Sequence, residues 1–238
     1  MGTCAEMKTK LNSFFVLNEK IEQKAITVGV IGLGYVGLPF LVEKAKIGLS
    51  VIGFDTNQAC VDQLLSKKSH IDDISNEELE KVFELASVDM TTDMSRLSEP
   101  DVLIICVPTP LDKNHCPDLS FVESVCHSIK LYLRQGQLIS LESTTYPGTT
   151  EELIKPILEQ SGLKSGSDFF LSYSPERVDP GNARYTTKNT NKVVGADDEK
   201  SLEVAAKFYQ LAIDHVVPVS SSKTAELVKV YENTFRAV

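Results

Sequence analysis

Three glycines, Gly32, Gly34 and Gly37, separate an apolar, β-branched run, ITVGVI, from a segment with helical periodicity, and an acid, Asp55, closes the next apolar run 23 positions after Gly32. Glycines at this spacing let a strand turn sharply, let backbone approach a ligand and let the new helix pack on the strand it has left. The helix then offers its positive end and unpaired amides to an anion. A carboxylate about 20 residues further on is where a pair of ribose hydroxyls would be gripped. The chemistry this predicts is recognition of a pyrophosphate and a ribose, hence a dinucleotide. A structural turn beside a solvated acid is the alternative. Asp55 would repel a 2′-phosphate, and the following Thr56-Asn57-Gln58 supplies no arginine, so NAD is expected rather than NADP.

Further candidates follow later apolar runs. In CVPTPL, Pro108 and Pro110 fix φ on either side of Thr109. In LESTTYPGTTEEL, the Thr144 hydroxyl stands just past a strand, where it can orient a water or an amide, and Thr149 with Glu152 has the spacing of a capping box. In LSYSPERVDPG, Glu176 and Arg177 open a long stretch rich in Pro, Gly, Asn and Thr, either as functional groups or as a surface ion pair. The final segment, SSSKTAELVKVYENTFRAV, reads as a helix with Ser222 as N-cap. Leu227, Tyr231, Phe235 and Val238 share one side; Glu226, Lys229, Asn233 and Arg236 share the other. That polar side is a solvated face or, through Lys229 and Asn233 at i and i+4, a pair of donors for a developing oxyanion.

The elements that must hold these groups alternate. Apolar runs at 26–31 and 49–54, and candidate strands at 88–91, 101–107, 137–142, 168–173, 192–194 and 215–218, are separated by helical patterns at 37–47, from about Asn57 onward, and at 119–133, 150–160 and 199–210. Continuously hydrophobic strands are those covered by helices on both faces. The fold expected is α/β, a Rossmann-like, doubly wound, mainly parallel sheet with a C-terminal helix. Its expected divisions are an N-terminal arm or helix (1–25), the NAD-binding domain (26–218) and the start of a central linker helix, truncated (219–238).

The 238 residues suffice for a buried core, and a net charge of −9 with scattered Lys and Arg leaves no groove for nucleic acid. The five cysteines form no CxxC pair, and none of the motifs describes a metal site. The apolar run in the N-terminal segment is too short for a membrane span or signal core. A cytoplasmic protein with neither metal, nucleic acid nor membrane as partner is expected.

Together GVIGLGYVGLP, FD, VPTPL, ESTTYPGTT, YSPERVDPG and AELVKVYENTFR resemble the nucleotide-sugar 6-dehydrogenase family, the UDP-glucose and UDP-N-acetylhexosamine dehydrogenases, over residues 26–238. The resemblance implies NAD-dependent oxidation of the C6 hydroxyl of a UDP-sugar to the uronic acid, through an enzyme-bound thiohemiacetal and thioester, in nucleotide-sugar metabolism and polysaccharide biosynthesis. It implies a cofactor set of Gly32, Gly34, Tyr35, Val36, Gly37, Asp55, Pro108, Thr109, Ser143 and Thr144. Its catalytic set is Thr144 and Glu176 around the reacting water, and Lys229 and Asn233 at the C6 oxyanion. SPERVDPG looks more like the N-acetylhexosamine branch than the UDP-glucose branch. A homodimer through the central helix is implied as well. None of the cysteines has the family's GGxC context, so the chain is expected to bind NAD without completing turnover. The alternative is a non-catalytic NAD-binding or interaction module.

Overall fold

The computed structural model describes residues 4–113, 116–176 and 191–237. Arg177 and the stretch 177–190 read above as a functional loop, and Val238, lie outside the described residues. Within them eight strands form one sheet: β1 (Thr27–Ile31), β2 (Ser50–Phe54), β3 (Val88–Thr91), β4 (Val102–Ile105), β5 (Leu138–Leu141), β6 (Phe170–Tyr173), β7 (Lys192–Gly195) and β8 (Val216–Val219). Their order is β3-β2-β1-β4-β5-β6-β7-β8, parallel throughout except for the β6–β7 pair. The chain therefore winds outward from β1 in one direction and from β4 in the other. Loops leaving the C-terminal ends of β1 and β4 diverge there and open a crevice, the usual place for a ligand in such a sheet.

Helices cover both faces: α1 (Cys4–Glu22), α2 (Gly37–Lys46), α3 (Gln58–Leu65), α4 (Asn76–Leu85), α5 (Ser120–Tyr132), α6 (Lys155–Glu159), α7 (Glu199–Gln210) and α8 (Ser222–Ala237). Strand residues alternate between two cores. Val28, Val30 and Ile104 pack with Leu41, Phe208 and Tyr209 on one side; Ile31, Leu103 and Ile105 pack with Val122, Ile129 and Leu158 on the other. This two-sided burial is why the strands read as unbroken apolar runs. The polar pattern after Asn57 resolves into two helices, α3 and α4, each with its own cap: Asn57 accepts from the amides of Ala59 and Cys60, and Ser75 from that of Glu78. Pro218 falls inside β8, at the sheet edge, where a missing donor is tolerated.

Three local expectations are corrected. Thr149 does not cap the following helix with its side chain; its hydroxyl donates to the Tyr146 carbonyl. The chain after it first makes a π-helical turn, Thr150–Ile154, before α6. Ser222 is the first residue of α8 rather than its cap, and it is Ser221 Oγ that accepts from the Thr224 amide, while Ser222 donates through N and Oγ to Asp197. Glu226 is not on a solvated stripe. It is fully buried, and its carboxylate accepts from the amides of Gly148 and Thr150 and from the Thr150 hydroxyl. The helical period placed Glu226 correctly on its helix but carried no information about the β5–α6 loop that meets that face. Among the described residues no helix is long and apolar enough to cross a membrane.

Candidate functional site

Each glycine of the loop after β1 meets a different constraint. Gly32 has φ +90°, and a Cβ there would lie 2.6 Å from the Cys106 carbonyl oxygen. A Cβ on Gly37 would lie 1.8 Å from the Gly32 carbonyl oxygen, so α2 can start against its own loop only without a side chain. A Cβ on Gly34 would meet no atom within 4 Å. The protein gives no packing reason for that glycine, and the space it leaves open faces outward, as a ligand's approach requires. Val36, at the N-cap of α2, makes no side-chain cap, and no acid stands in the first turn. The positive helix end is therefore left to an external anion.

Asp55 leaves β2 beside this loop because Phe54 and Ile31 are in register. Its Oδ2 accepts from the Leu33 amide at 3.0 Å and its Oδ1 from the Asn57 amide at 2.9 Å. Two amides fix the carboxylate and leave it lone pairs for further donors. The cleft here encloses about 520 Å³ and is lined by Gly32, Gly34, Tyr35, Val36, Asp55 and Pro108 from the sequence-predicted set. Met94 and, from α5, Phe121, Ser124 and Val125 line it as well, whereas Gly37, Thr109, Ser143 and Thr144 of that set lie off its wall. Sequence reasoning missed Met94 and the three α5 residues, since nothing in a helical pattern tells which exposed aromatic faces a crevice formed by strands far away in the chain. The residues fit a dinucleotide: an open glycine, an uncapped helix end and a held carboxylate lie on one cleft.

The ends of β4 and β5 are sewn together. Thr109 Oγ1 donates to the Thr144 carbonyl at 2.7 Å, and Ser143 Oγ donates to the Val107 carbonyl at 2.8 Å. Both hydroxyl protons are thus spent on the protein, and these two side chains shape the loops and can meet a ligand only as acceptors. The Thr144 side chain is exposed next to them.

Two predicted residues 53 positions apart in the chain do meet. Lys229 Nζ, from α8, donates to the Glu176 carbonyl at 2.6 Å. Asn233, one turn on, is exposed. Behind Glu176 lies a buried cluster that the sequence did not disclose. Lys192 Nζ, at the start of β7, binds Glu142 Oε2 and the Pro175 carbonyl and stands 3.7 Å from Glu176 Oε2. Tyr209 donates to Glu142 Oε1 at 2.6 Å. Burial opposes the Lys192 charge, but Glu142 and Glu176 outweigh it and hold the ammonium above the usual lysine value. The sequence shows Glu142 only as the end of a candidate strand and does not single out Lys192, because its partner comes from 50 residues away. The cysteines near the site are inert: burial pushes Cys106 well above the ordinary thiol value and Cys126 up to about 12.

Lys44 of α2 is 1% exposed, boxed by Phe40, Phe208 and Tyr209 with its Nζ 4.8, 4.8 and 5.6 Å from their ring centroids. Burial, aided by the Lys192 charge, lowers it from 10.5 to about 7. The unfolded chain therefore holds a proton that the folded chain lacks between pH 7 and 10.5, so stability rises with pH across that window and the full penalty persists below it. Lys44→Met is expected to stabilise the protein by on the order of 2 to 4 kcal/mol below pH 7, the gain fading toward pH 10.5. Urea denaturation of both proteins across this range checks it; parallel stability curves would contradict the assignment.

A glycine-rich turn from a central parallel strand into a helix, answered by an acid at the end of the neighbouring strand, defines a dinucleotide-binding domain of the dehydrogenase type. The chain belongs to the UDP-glucose/GDP-mannose dehydrogenase family: residues 26–213 match that family's NAD binding domain. It is 38% identical over 215 residues to the UDP-N-acetyl-D-glucosamine 6-dehydrogenase of Pseudomonas aeruginosa, covering 90% of this chain and 50% of that protein. The solved UDP-D-ManNAc dehydrogenase of Pyrococcus horikoshii superimposes with a TM-score of 0.83 at 34% identity, covering 89% of this chain and 50% of that one. A GDP-mannose dehydrogenase from Pseudomonas aeruginosa, solved as a ternary complex, gives 0.82 at 28% identity, with 88% and 50% covered. The chain thus spans about half the length of the curated relatives it matches.

Proposed function

We propose that this chain is the NAD-binding part of an enzyme that oxidises the C6 hydroxyl of a UDP-N-acetylhexosamine to the carboxylate, with UDP-glucose as the alternative substrate. The observation that carries the reading is the approach of Lys229 to the Glu176 turn, on the same sheet edge as the glycine loop and Asp55. Gly32, Gly34, Tyr35, Val36 and Gly37 hold the pyrophosphate at the start of α2, and Asp55 takes the ribose hydroxyls. Pro108, Thr109, Ser143 and Thr144 line the path toward the reacting end. Bound NAD supplies the hydride acceptor. The Lys229 ammonium and Asn233 amide stabilise negative charge growing on the C6 oxygen, and Thr144 and Glu176 hold the water that hydrolyses the thioester left by the second oxidation and so releases the carboxylate. With none of its cysteines in the family's GGxC context, the chain by itself is expected to bind NAD without sustained formation of NADH from UDP-sugars.

Calorimetric titration tests this. NAD is expected to bind and NADP to bind at least about tenfold more weakly; Asp55→Ala should weaken NAD by about 1.5 to 3 kcal/mol, on the order of 10- to 150-fold. Equal affinity for the two coenzymes, or no effect of Asp55→Ala, would sink the assignment.

We also infer a homodimer through α8. Leu227, Tyr231 and Phe235 are 55%, 70% and 77% exposed along one face of that helix, an apolar stripe of the kind that marks protein–protein contacts. Light scattering after size exclusion should report twice the chain mass at micromolar concentration; a monomer at high concentration would remove the proposal.

A further inference from the structure

The buried lysine behind the site has more partners than an ion pair needs. Glu142 alone would neutralise Lys192, and Glu142 is already held: its second oxygen accepts from Tyr209, whose hydroxyl lies 2.9 Å from Ser140 Oγ, itself 3.0 Å from Ser172 Oγ. That hydroxyl chain roots the carboxylate in β5, β6 and α7. Lys192 nevertheless spends a second donor on the Pro175 carbonyl and keeps its charge 3.7 Å from the Glu176 carboxylate, whose side chain is 21% exposed toward the site while that of Lys192 is 5% exposed. From the other side Lys229 takes the Glu176 carbonyl. The turn after β6 is thus gripped by two ammonium groups, one beneath it from β7 and one across it from α8.

We propose that Lys192 is a positioning residue for Glu176: anchored on Glu142, it fixes the Pro175–Glu176 turn and the Glu176 carboxylate at the end of β6, beside the Thr144 loop. The proposal rests on the reading of Glu176 as the group that holds the reacting water. Its physical basis is that a partly exposed glutamate on a loop has several rotamers of similar energy, and a buried, immobile cation removes that freedom before substrate arrives. Glu142 directly precedes Ser143 and Thr144 in the chain, so the same ammonium ties the two loops that bear Thr144 and Glu176 to each other. The other ionisable groups facing this ammonium are Cys106 just after β4, Lys44 from α2 and Tyr209 from α7.

The test uses NMR of this chain with neither coenzyme nor sugar, so failure of NAD binding would sink the functional reading without touching this one. The Lys192 ammonium 1H–15Nζ signal is assigned by its loss in Lys192→Met. In Glu176→Gln, a near-isosteric change at a partly exposed site, that signal is expected to move and its exchange with water to quicken several-fold. In Lys192→Met the backbone order parameter of Glu176 should fall from about 0.85 to below about 0.6, and Lys192→Arg should restore it. A lysine that only neutralises Glu142 would leave both readouts unchanged, and an unmoved Nζ signal in Glu176→Gln or a rigid Glu176 in Lys192→Met overturns the proposal. If Lys192→Met does not fold, Glu142→Leu/Lys192→Met removes the buried pair together and gives the same order-parameter readout.

Discussion

Gly37→Ala is expected to abolish NAD binding and to lower stability by about 3 kcal/mol or more. The added methyl would sit 1.8 Å from the Gly32 carbonyl oxygen and 3.2 Å from Cys106 Cβ. The first of these is backbone, so no rotamer relieves the overlap; either α2 moves off the sheet or the loop opens. Both movements withdraw the helix amides from the place where a pyrophosphate would sit, and an affinity loss above about 100-fold follows. Gly34→Ala is the control. Its methyl meets nothing within 4 Å, so the expected stability change is under about 1 kcal/mol, while NAD affinity falls because the methyl occupies the side from which the ligand approaches. Thermal denaturation and calorimetry on the two variants separate packing from binding. Equal destabilisation by both would show that the glycines serve a turn and nothing more.

Glu226→Ala is the second large effect. The carboxylate is the acceptor for two buried amides and one hydroxyl from the loop that follows β5. Truncation leaves those donors without acceptor inside the protein at about 1 to 3 kcal/mol each. A total loss of roughly 3 to 5 kcal/mol is expected, which for a chain of this size is a fall of about 10 °C or more in Tm. Glu226→Gln, which keeps an acceptor oxygen, should lose less than half as much. The consequence reaches the site, because Glu226 stands one turn before Lys229 on α8 and thereby sets how that helix addresses Glu176. A Glu226→Ala protein with wild-type Tm would mean that water takes over the loop amides and that α8 is held by its other contacts, Ala225 in the core and the hydrogen bonds of Ser222 and Lys229.

What the sequence by itself determined was whatever is local. The glycine spacing, the acid closing β2 and the unbroken apolar runs are short-range consequences of backbone sterics and of burial on two faces, and they sufficed to read the sheet, its mainly parallel sense and the expected coenzyme. Local pattern also located Thr144 and Glu176 just past strand ends and Lys229 on the polar side of the last helix. It failed where a side chain's partner comes from far along the chain. Thr149 and Ser222 have good capping chemistry for their helices, yet Glu226 and Ser221 do that work, because a buried carboxylate from α8 offers the stronger acceptor for the first helix and the Asp197 carboxylate draws Ser222 away from the second. A helical wheel put Glu226, Lys229 and Asn233 on one stripe, but the fold buries the first, half-buries the second and exposes the third. Lys192, just ahead of Val193 and Val194, gave no sign that its ammonium would join Glu142 to the Glu176 turn. Those pairings depend on which loops the crossovers bring to one end of the sheet, a quantity that periodicity and motif spacing do not contain and that the packed structure supplies.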